Sequence, residues 1–519
     1  MKFSTFKTIL TSVLIVFTCT AFADEIGSLI PKWKQKQGYL IFSVPVKLQK
    51  FIPTKTNNAH TIYLLPLVFE PLITIGSKKE LLPVLAKSWV VSSDKKSVVI
   101  TINPNHHFSD GHEVTATDVV ESFYRACSPG AQTYTRLSGL SGCYERASQQ
   151  SINPTKVSAI GKYEVQFNIT SSPTNFLYQL SYLSAVVTKK VGNKLIGSGP
   201  YLLNEQQEDY VVLDKNDQYK GKNQAMNAGM IFFYANQNTV SKHLSKDHSD
   251  GAIIYRMADI QNFNNSQYKL IKSNPNIAEL LVLNNNRYPF NKSIVRKALA
   301  ASLYNNFNHS CISGARHAYG IIPTGIGGSI NGISPKKLPE YTPKQVFKQV
   351  PQLRKRKVIV TIHQLDDLKL ECESVQIQET AKKYNINVKF KYHKNYSKFV
   401  PLIKSHEVDG FIELFVYLSM DANSILNHFA KAGGNDANIS DDNVDRMLND
   451  AITAQSSHTR YQAYNHLAKY MQDQGIVIPL FYMNHGTILS NCLLGIPDDF
   501  YISSFISLPK LHKNLLCKN

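Results

Sequence analysis

The sequence predicts an α/β protein of several structural units. Two observations carry that expectation. Between Lys357 and Tyr417 the pattern alternates between β-branched runs and amphipathic stretches: Lys357–Ile362, then Glu373–Tyr384, Ile386–Phe390, Tyr396–Ile403 and Asp409–Tyr417. Strands alternating with helices are the signature of an α/β domain. The chain has 519 residues, 43% of them apolar and 10% aromatic, enough for more than one core.

The N-terminus is read first. Lys2 and Lys7 precede an apolar run, Ile9–Phe17, and Ala21-Phe22-Ala23 supplies small residues before Asp24. This is the layout of a cleaved secretory signal over residues 1–23. Cys19 lacks the small residues expected ahead of a lipidated cysteine, and no later run is long enough to span a membrane.

Charge and cysteine content narrow the function classes. Lys and Arg number 57 against 38 Asp and Glu, a formal net charge of +19. That balance suits an anionic ligand or surface, although the basic residues are scattered and the longest cluster is Arg354-Lys355-Arg356-Lys357. Nucleic-acid binding conflicts with export and lacks a recognisable module. Beyond Cys19 the chain carries Cys127, Cys143, Cys311, Cys372, Cys492 and Cys517, an even set that permits disulfides in an exported protein. Cys127 with Cys143 is the favoured pair, both flanking one loop-rich stretch, and Cys492 with Cys517 is the next.

Gly38–Val44 reads as a first strand, stopped by Pro45, and Lys47–His60 as a loop with Asn57 and Asn58 paired near its end. Thr61–Leu72 is strongly apolar. Val98–Ile102 is a β-branched strand, followed by Phe108–Arg125 (FSDGHEVTATDVVESFYR). There Asp110-Gly111 makes a turn, Thr115 caps a helix, Asp118 sits three residues on, and Val119, Val120, Phe123 and Tyr124 form the apolar face. Pro173–Leu183 is an apolar helix, and Gly197-Ser198-Gly199-Pro200-Tyr201 follows. Later come the strand Glu279–Asn286 (ELLVLNNN), Asp441–Ala451, a helix over Arg460–Gln472, and Ile476–Tyr482 (IVIPLFY).

The order of these segments resembles the family 5 extracellular solute-binding proteins, the oligopeptide- and dipeptide-binding receptors of ABC importers. The resemblance rests on Phe108–Arg125, on Leu82–Trp89 (LPVLAKSW), on GSGPY at 197–201, on Pro289-Phe290 leading into Val295–Leu299 (VRKAL), and on IVIPLFY at 476–482. It implies a two-lobed periplasmic binding protein of type II, cluster C, with an extra α+β subdomain in the first lobe. The implied boundaries are residues 24–60, 197–283 and 478–519 for the first lobe, 61–196 for the subdomain and 284–477 for the second lobe. It implies a monomeric receptor in the periplasm of a Gram-negative envelope, capturing an oligopeptide for an inner-membrane ABC permease, with no cofactor.

The resemblance also supplies candidate ligand-binding residues. Asn57 and Asn58 lie in a loop such receptors use to reach ligand backbone. Asn284 and Asn286 flank an expected domain crossing. Tyr396, Phe415 and Tyr417 stand near positions of pocket aromatics. Leu418 falls where well-known oligopeptide receptors place a carboxylate for the peptide amine, and Asp421 is the nearest acid that could substitute. This departure favours an alternative: the same role for a non-peptide or amine-free ligand, such as a cell-wall fragment, a metal complex or another anionic solute.

Metal and enzyme readings are weaker. His106 and His107 would project to opposite faces of a strand, and His112 lies beyond the turn. There is no G-x-S-x-G and no P-loop, and His112-Glu113 lacks the second His of H-E-x-x-H. We expect a binding protein with no metal site and no enzymatic activity.

Overall fold

The computed structural model describes residues 22–76, 79–143, 147, 156–235, 237–246, 248–254, 266–272, 276–312, 314–329, 337–353, 356–363, 371–393, 396–417, 421–431, 434–484, 486–496, 507–514 and 516–517. Leu418 and all but the last two residues of the expected export segment lie outside that set, as do the side chains of Phe22, Ala23 and Tyr396.

Two large sheets organise the molecule. The first has seven strands in the order Tyr201–Gln206, Tyr210–Lys215, Gly229–Tyr234, Tyr39–Val44, Gly251–Ile254, Gly486–Ser490, Tyr268–Lys272. Its centre is parallel: Tyr39–Val44 pairs with both Gly229–Tyr234 and Gly251–Ile254 in that sense. Buried parallel strands need apolar residues on both faces, and YLIFSV supplies them. Leu40, Phe42 and Val44 enter one core with helix Ala59–Val68, while Ile41 enters another with Ile30 and Trp33 of helix Phe22–Lys34.

The second sheet has six strands in the order Arg316–His317, Val477–Met483, Ile277–Leu283, Gly410–Val416, Arg356–His363, Ile386–His393. Strand Ile277–Leu283 is buried along its whole length. Ile277, Leu281 and Leu283 face one core and Ala278, Leu280 and Val282 the other, the period-2 alternation of a strand covered on both sides.

A smaller four-stranded antiparallel sheet, Ala86–Val91, Ser97–Ile102, Glu164–Asn168 and Val157–Ala159, forms the extra subdomain with helices Ala116–Ala126 and Pro173–Leu180. Its core holds Phe108, Val119, Phe123, Phe167 and Phe176, and the Cys127–Cys143 bond, Cα atoms 4.9 Å apart, closes one edge. Helix Ala116–Ala126 starts as its sequence suggests: the backbone N–H and hydroxyl of Thr115 both donate to the Asp118 carboxylate, at 2.8 and 2.6 Å. Two further disulfides join Cys311 to Cys372 and Cys492 to Cys517.

The chain crosses between the large sheets twice, between Lys272 and Ile277 and between Met483 and Gly486. The expected boundaries after residues 283 and 477 are therefore displaced. Ile277–Leu283 and Val477–Met483 hydrogen-bond to each other, with Ile277 opposite Met483, so both belong to the second sheet. Helix Ala59–Val68 likewise packs in the first lobe's core rather than in the subdomain that was expected to begin at residue 61.

Candidate functional site

Ligands of open α/β sheets bind outside the carboxyl ends of the parallel strands. In the first lobe those ends are Val44, Tyr234 and Ile254; in the second they are His363, His393 and Val416. The two sets meet at the crossings. Val46 packs on a core of the second lobe, Val416 packs on the core of the first, and the Tyr417 N–H donates to Asn276 O at 2.9 Å. The Asn276 side chain in turn donates to Tyr63 Oη at 3.4 Å. The candidate site is the interlobe space beside this junction, with the extra subdomain leaning over one side.

The side chains expected to serve the site separate into groups. Phe415 and Tyr417 are buried in the second lobe's core, Phe415 against His428 and Phe429, and Tyr417 with its hydroxyl donating to Ile321 O at 3.0 Å. Tyr417 adjoins the junction through its backbone. Asn58 caps helix Ala59–Val68 by accepting from Thr61 N at 3.0 Å. The N–H groups of Asn57 and Asn58 both donate to Gln49 Oε1 at 3.0 Å, and Asn57 Oδ1 accepts from Gln49 Nε2 at 2.8 Å. Both asparagines shape the loop, and Asn57 stays exposed.

Asn284 and Asn286 do not flank a crossing. They follow the far end of strand Ile277–Leu283, about 20 Å from the junction at about 3.3 Å per residue. Asn284 Nδ2 donates to His406 O and Val408 O, at 3.0 and 2.8 Å, and Asn286 Nδ2 donates to Asn438 Oδ1 and Ser440 Oγ. Their amides tie loops together at the tip of the second lobe.

Asp421 does not stand ready for a ligand amine, because its carboxylate is already taken. It is fully buried, and Arg460, equally buried, donates Nε to Oδ2 at 2.8 Å and Nη2 to Oδ1 at 3.0 Å. The Tyr464 hydroxyl adds 3.2 Å and the Asn423 N–H 2.9 Å to Oδ1. Burial works against the guanidinium's charge, but the Asp421 carboxylate outweighs it and holds the Arg460 pKa above its ordinary value. A carboxylate held by an arginine fork is poorly placed to receive a ligand ammonium.

This pair is what sequence reading missed, together with its surroundings. The Arg460 guanidinium lies over the ring of Tyr464, 4.9 Å from the centroid, and over Tyr178 of the subdomain at 5.5 Å. Burial raises the pKa values of Tyr178, Tyr182, Tyr461 and Tyr464, so all four stay protonated donors. One signal was available. Arg460, Tyr464, Leu467 and Met471 recur at helical spacing, and all are buried. An arginine on an apolar helix face requires a buried acid.

The three histidines near the Asp110-Gly111 turn do not converge. His106 Nδ1 lies 3.6 Å from Glu70, His107 Nδ1 lies 2.9 Å from Asn105 O, and exposed His112 pairs with Asp110 at 3.1 Å. Among the described residues no group of three or more His, Cys, Asp or Glu is arranged to hold a metal ion, and no helix is long and apolar enough to cross a membrane.

The family model for bacterial extracellular solute-binding proteins, family 5 Middle, matches residues 80–437, well over half of the chain. The chain belongs to this family. Among curated proteins it is 27% identical over 252 residues to the nickel-binding periplasmic protein of Escherichia coli K12, a match covering 45% of each chain. The chain spans about half the length of the curated relatives it matches. Among solved structures it is similar to the periplasmic binding protein DppA from Helicobacter pylori in complex with the peptide STSA, with TM-score 0.76, 17% identity and coverage of 92% of this chain and 98% of that one. It is similar to Haemophilus influenzae OppA in complex with RPPGFSPFR, with TM-score 0.75, 17% identity and coverage of 92% and 99%. At these identities the likeness concerns the fold, which is the two-lobed one that the family 5 motifs implied.

Proposed function

We propose that the chain is a periplasmic receptor that captures oligopeptides between its lobes and delivers them to an inner-membrane ABC permease. The observation that carries this reading is the double crossing. Two sheets of a family 5 protein turn their parallel carboxyl ends towards one junction, a geometry suited to hinge closure around a bound molecule. The similar folds solved with STSA and RPPGFSPFR support peptide as the ligand class.

A second reading keeps the receptor role and replaces the peptide with an amine-free ligand or a metal complex. The commitment of Asp421 to Arg460 favours it, because the acid nearest the expected amine position is neutralised within the protein. The nickel-binding relative adds weight to a metal complex as the cargo.

The test uses the chain from Asp24, purified under native conditions and analysed by native mass spectrometry for co-purified ligand. Thermal-shift titration then compares a free-amine peptide pool, the same pool N-acetylated, and a nickel chelate. A ligand that binds only the folded state raises the midpoint with concentration. Stabilisation by free-amine peptides alone supports the first reading; equal stabilisation by acetylated peptides, or by the chelate alone, supports the second. No response in any arm, with no co-purified ligand, would sink both.

A further inference from the structure

The extra subdomain touches the second lobe along one helix, Pro173–Leu180, and the residues flanking it. The Ser172 hydroxyl donates to Ile452 O at 2.6 Å, and the Thr174 hydroxyl to Gln455 O at 3.2 Å. Tyr178 Oη lies 3.0 Å from Tyr461 Oη and 3.1 Å from Lys79 O. Since Lys79 O can only accept, the consistent chain runs from the Tyr461 hydroxyl to the Tyr178 hydroxyl to the carbonyl. The two rings meet edge to face at 6.4 Å, and the Tyr178 ring also receives the Arg460 guanidinium. Just beyond the helix, the Tyr182 hydroxyl is hydrogen-bonded to the Asn423 side chain.

All of these contacts except the Tyr178–Lys79 bond, which lies within one side, bridge the two crossings. Residues 172–182 precede the first crossing, whereas Asn423, Ile452, Gln455, Arg460 and Tyr461 lie between the first and the second. Any rigid rotation that parts the lobes must break them together. The side facing the subdomain is also braced from behind. Asp421 and Tyr464 hold Arg460, and Tyr461 sits so close over Gly327 that a Cβ there would be 2.3 Å from its ring. The helix from the subdomain approaches a fixed platform with hydroxyls and a ring face, groups that can exchange protein partners for water when the surfaces separate.

We propose that the extra subdomain is the closing arm of the receptor, and that Tyr178 is the positioning residue through which it latches the second lobe. This rests on the reading of the two lobes as a hinged pair, but needs no ligand to be identified. Tyr178 sets the balance between open and closed forms, and hence how much of a ligand's binding free energy goes into closure.

The experiment compares small-angle X-ray scattering of the ligand-stripped wild-type protein with Tyr178→Phe, Tyr178→Ala and Lys87→Ala, the last an exposed subdomain residue away from the contact. Tyr178→Phe removes the hydroxyl contact that crosses to Tyr461 and keeps the ring, so the open-to-closed ratio should rise about 3- to 10-fold. Tyr178→Ala should raise it further, and Lys87→Ala should leave it at the wild-type value. Circular dichroism melts check that each variant is folded; if Tyr178→Ala is not, Tyr178→Phe still decides. Scattering from folded Tyr178→Phe that superimposes on wild type would overturn the latch. Because every arm is ligand-free, that failure is distinct from a failure of the titrations described under the proposed function.

Discussion

The extra subdomain meets the rest of the molecule at a root and at a tip, and the two surfaces are built differently. At the root, Glu70 is 1% exposed and its carboxylate accepts from Ser198 Oγ at 3.0 Å and Tyr219 Oη at 2.7 Å, with His106 Nδ1 at 3.6 Å. The backbone interlocks around it: Val187 N–H donates to Glu70 O, and Gly199 N–H donates to Val68 O. A Cβ on Gly197 would come within 1.9 Å of Val68 O, which is why the glycine-rich entry at 197–201 admits no side chain there. At the tip, the buried acid Asp421 is paired with Arg460 of the same lobe. The described contacts that cross to the subdomain are tyrosine hydroxyls, the Asn423 side chain, the Tyr178 ring face under the Arg460 guanidinium, and hydroxyl and N–H bonds to the carbonyls of Ile452 and Gln455. A buried charge shared across a surface makes parting costly, because separation exposes or orphans the ion. Keeping the charge pair within one body and presenting neutral donors to the other makes a face that can open.

That contrast can be broken most forcefully at Arg460. Arg460→Met leaves the Asp421 carboxylate buried without its partner, which should cost about 3–5 kcal/mol of stability in denaturant melts. Adding Asp421→Asn should recover much of the loss, as the uncompensated charge disappears. If the single variant costs less than about 1 kcal/mol, the platform behind the tip is not held by this pair.

The root gives the next largest effect. Glu70→Gln keeps one acceptor but turns the other oxygen into a donor facing a hydroxyl. A loss of about 1.5–3 kcal/mol is expected, since hydrogen bonds to a charged acceptor are the stronger ones. The loss should appear as destabilisation with unchanged scattering, because the root does not part. A change in the open fraction without a change in stability would reverse the assignment of root and tip.

Gly327→Ala probes the tip from behind. The added methyl would press on the Tyr461 ring at 2.3 Å, and the ring must move. Overpacking of this kind costs about 1–3 kcal/mol, and the lower end is expected because a side chain rather than backbone gives way. The open fraction should rise as it does for Tyr178→Phe.

How much of this was visible in the sequence depends on the range of the interaction. The Thr115–Asp118 cap and the buried strands were legible because each is decided within a few residues. Which sheet a strand joins is not local. ELLVL and IVIPLFY are apolar wherever they go, and only their pairing with one another places them in the second lobe. For the same reason Asn284 and Asn286 were expected at the crossing and lie at the opposite end of their strand. Asp421 and Arg460 are separated by 39 residues. Asp421 alone reads as an ordinary charged residue, and although the spacing of Arg460 with Tyr464, Leu467 and Met471 calls for a buried acid, nothing local says which acid it is. Tyr178 was hidden differently. Its helix was recognised, but an apolar helix shows no mark of the face on which its hydroxyls, Thr174 and Tyr178, will meet another lobe.

The smallest expected effect compares the lobes themselves under acid. His243 in the first lobe and His317 in the second are both pushed down to about 4, chiefly by burial, with neighbouring positive or imidazole groups (His248, Lys242 and Lys246 for the first, His309 for the second) acting in the same direction. Among the described residues His317 Nε2 has no hydrogen-bond acceptor to donate to that would favour the protonated ring and offset this. An unfolded histidine titrates at about 6.5. Between about pH 6.5 and 4 the unfolded chain therefore binds more protons than the folded one, and stability falls as pH drops through that window. The contribution is complete above pH 6.5 and gone below 4. Replacing either histidine with Phe should flatten part of the acid slope of the denaturation midpoint. The two effects should add, because the residues sit in different lobes and share no partner. Strong non-additivity would mean that the lobes respond to acid as one body, and the separable tip would then be the first feature to reconsider.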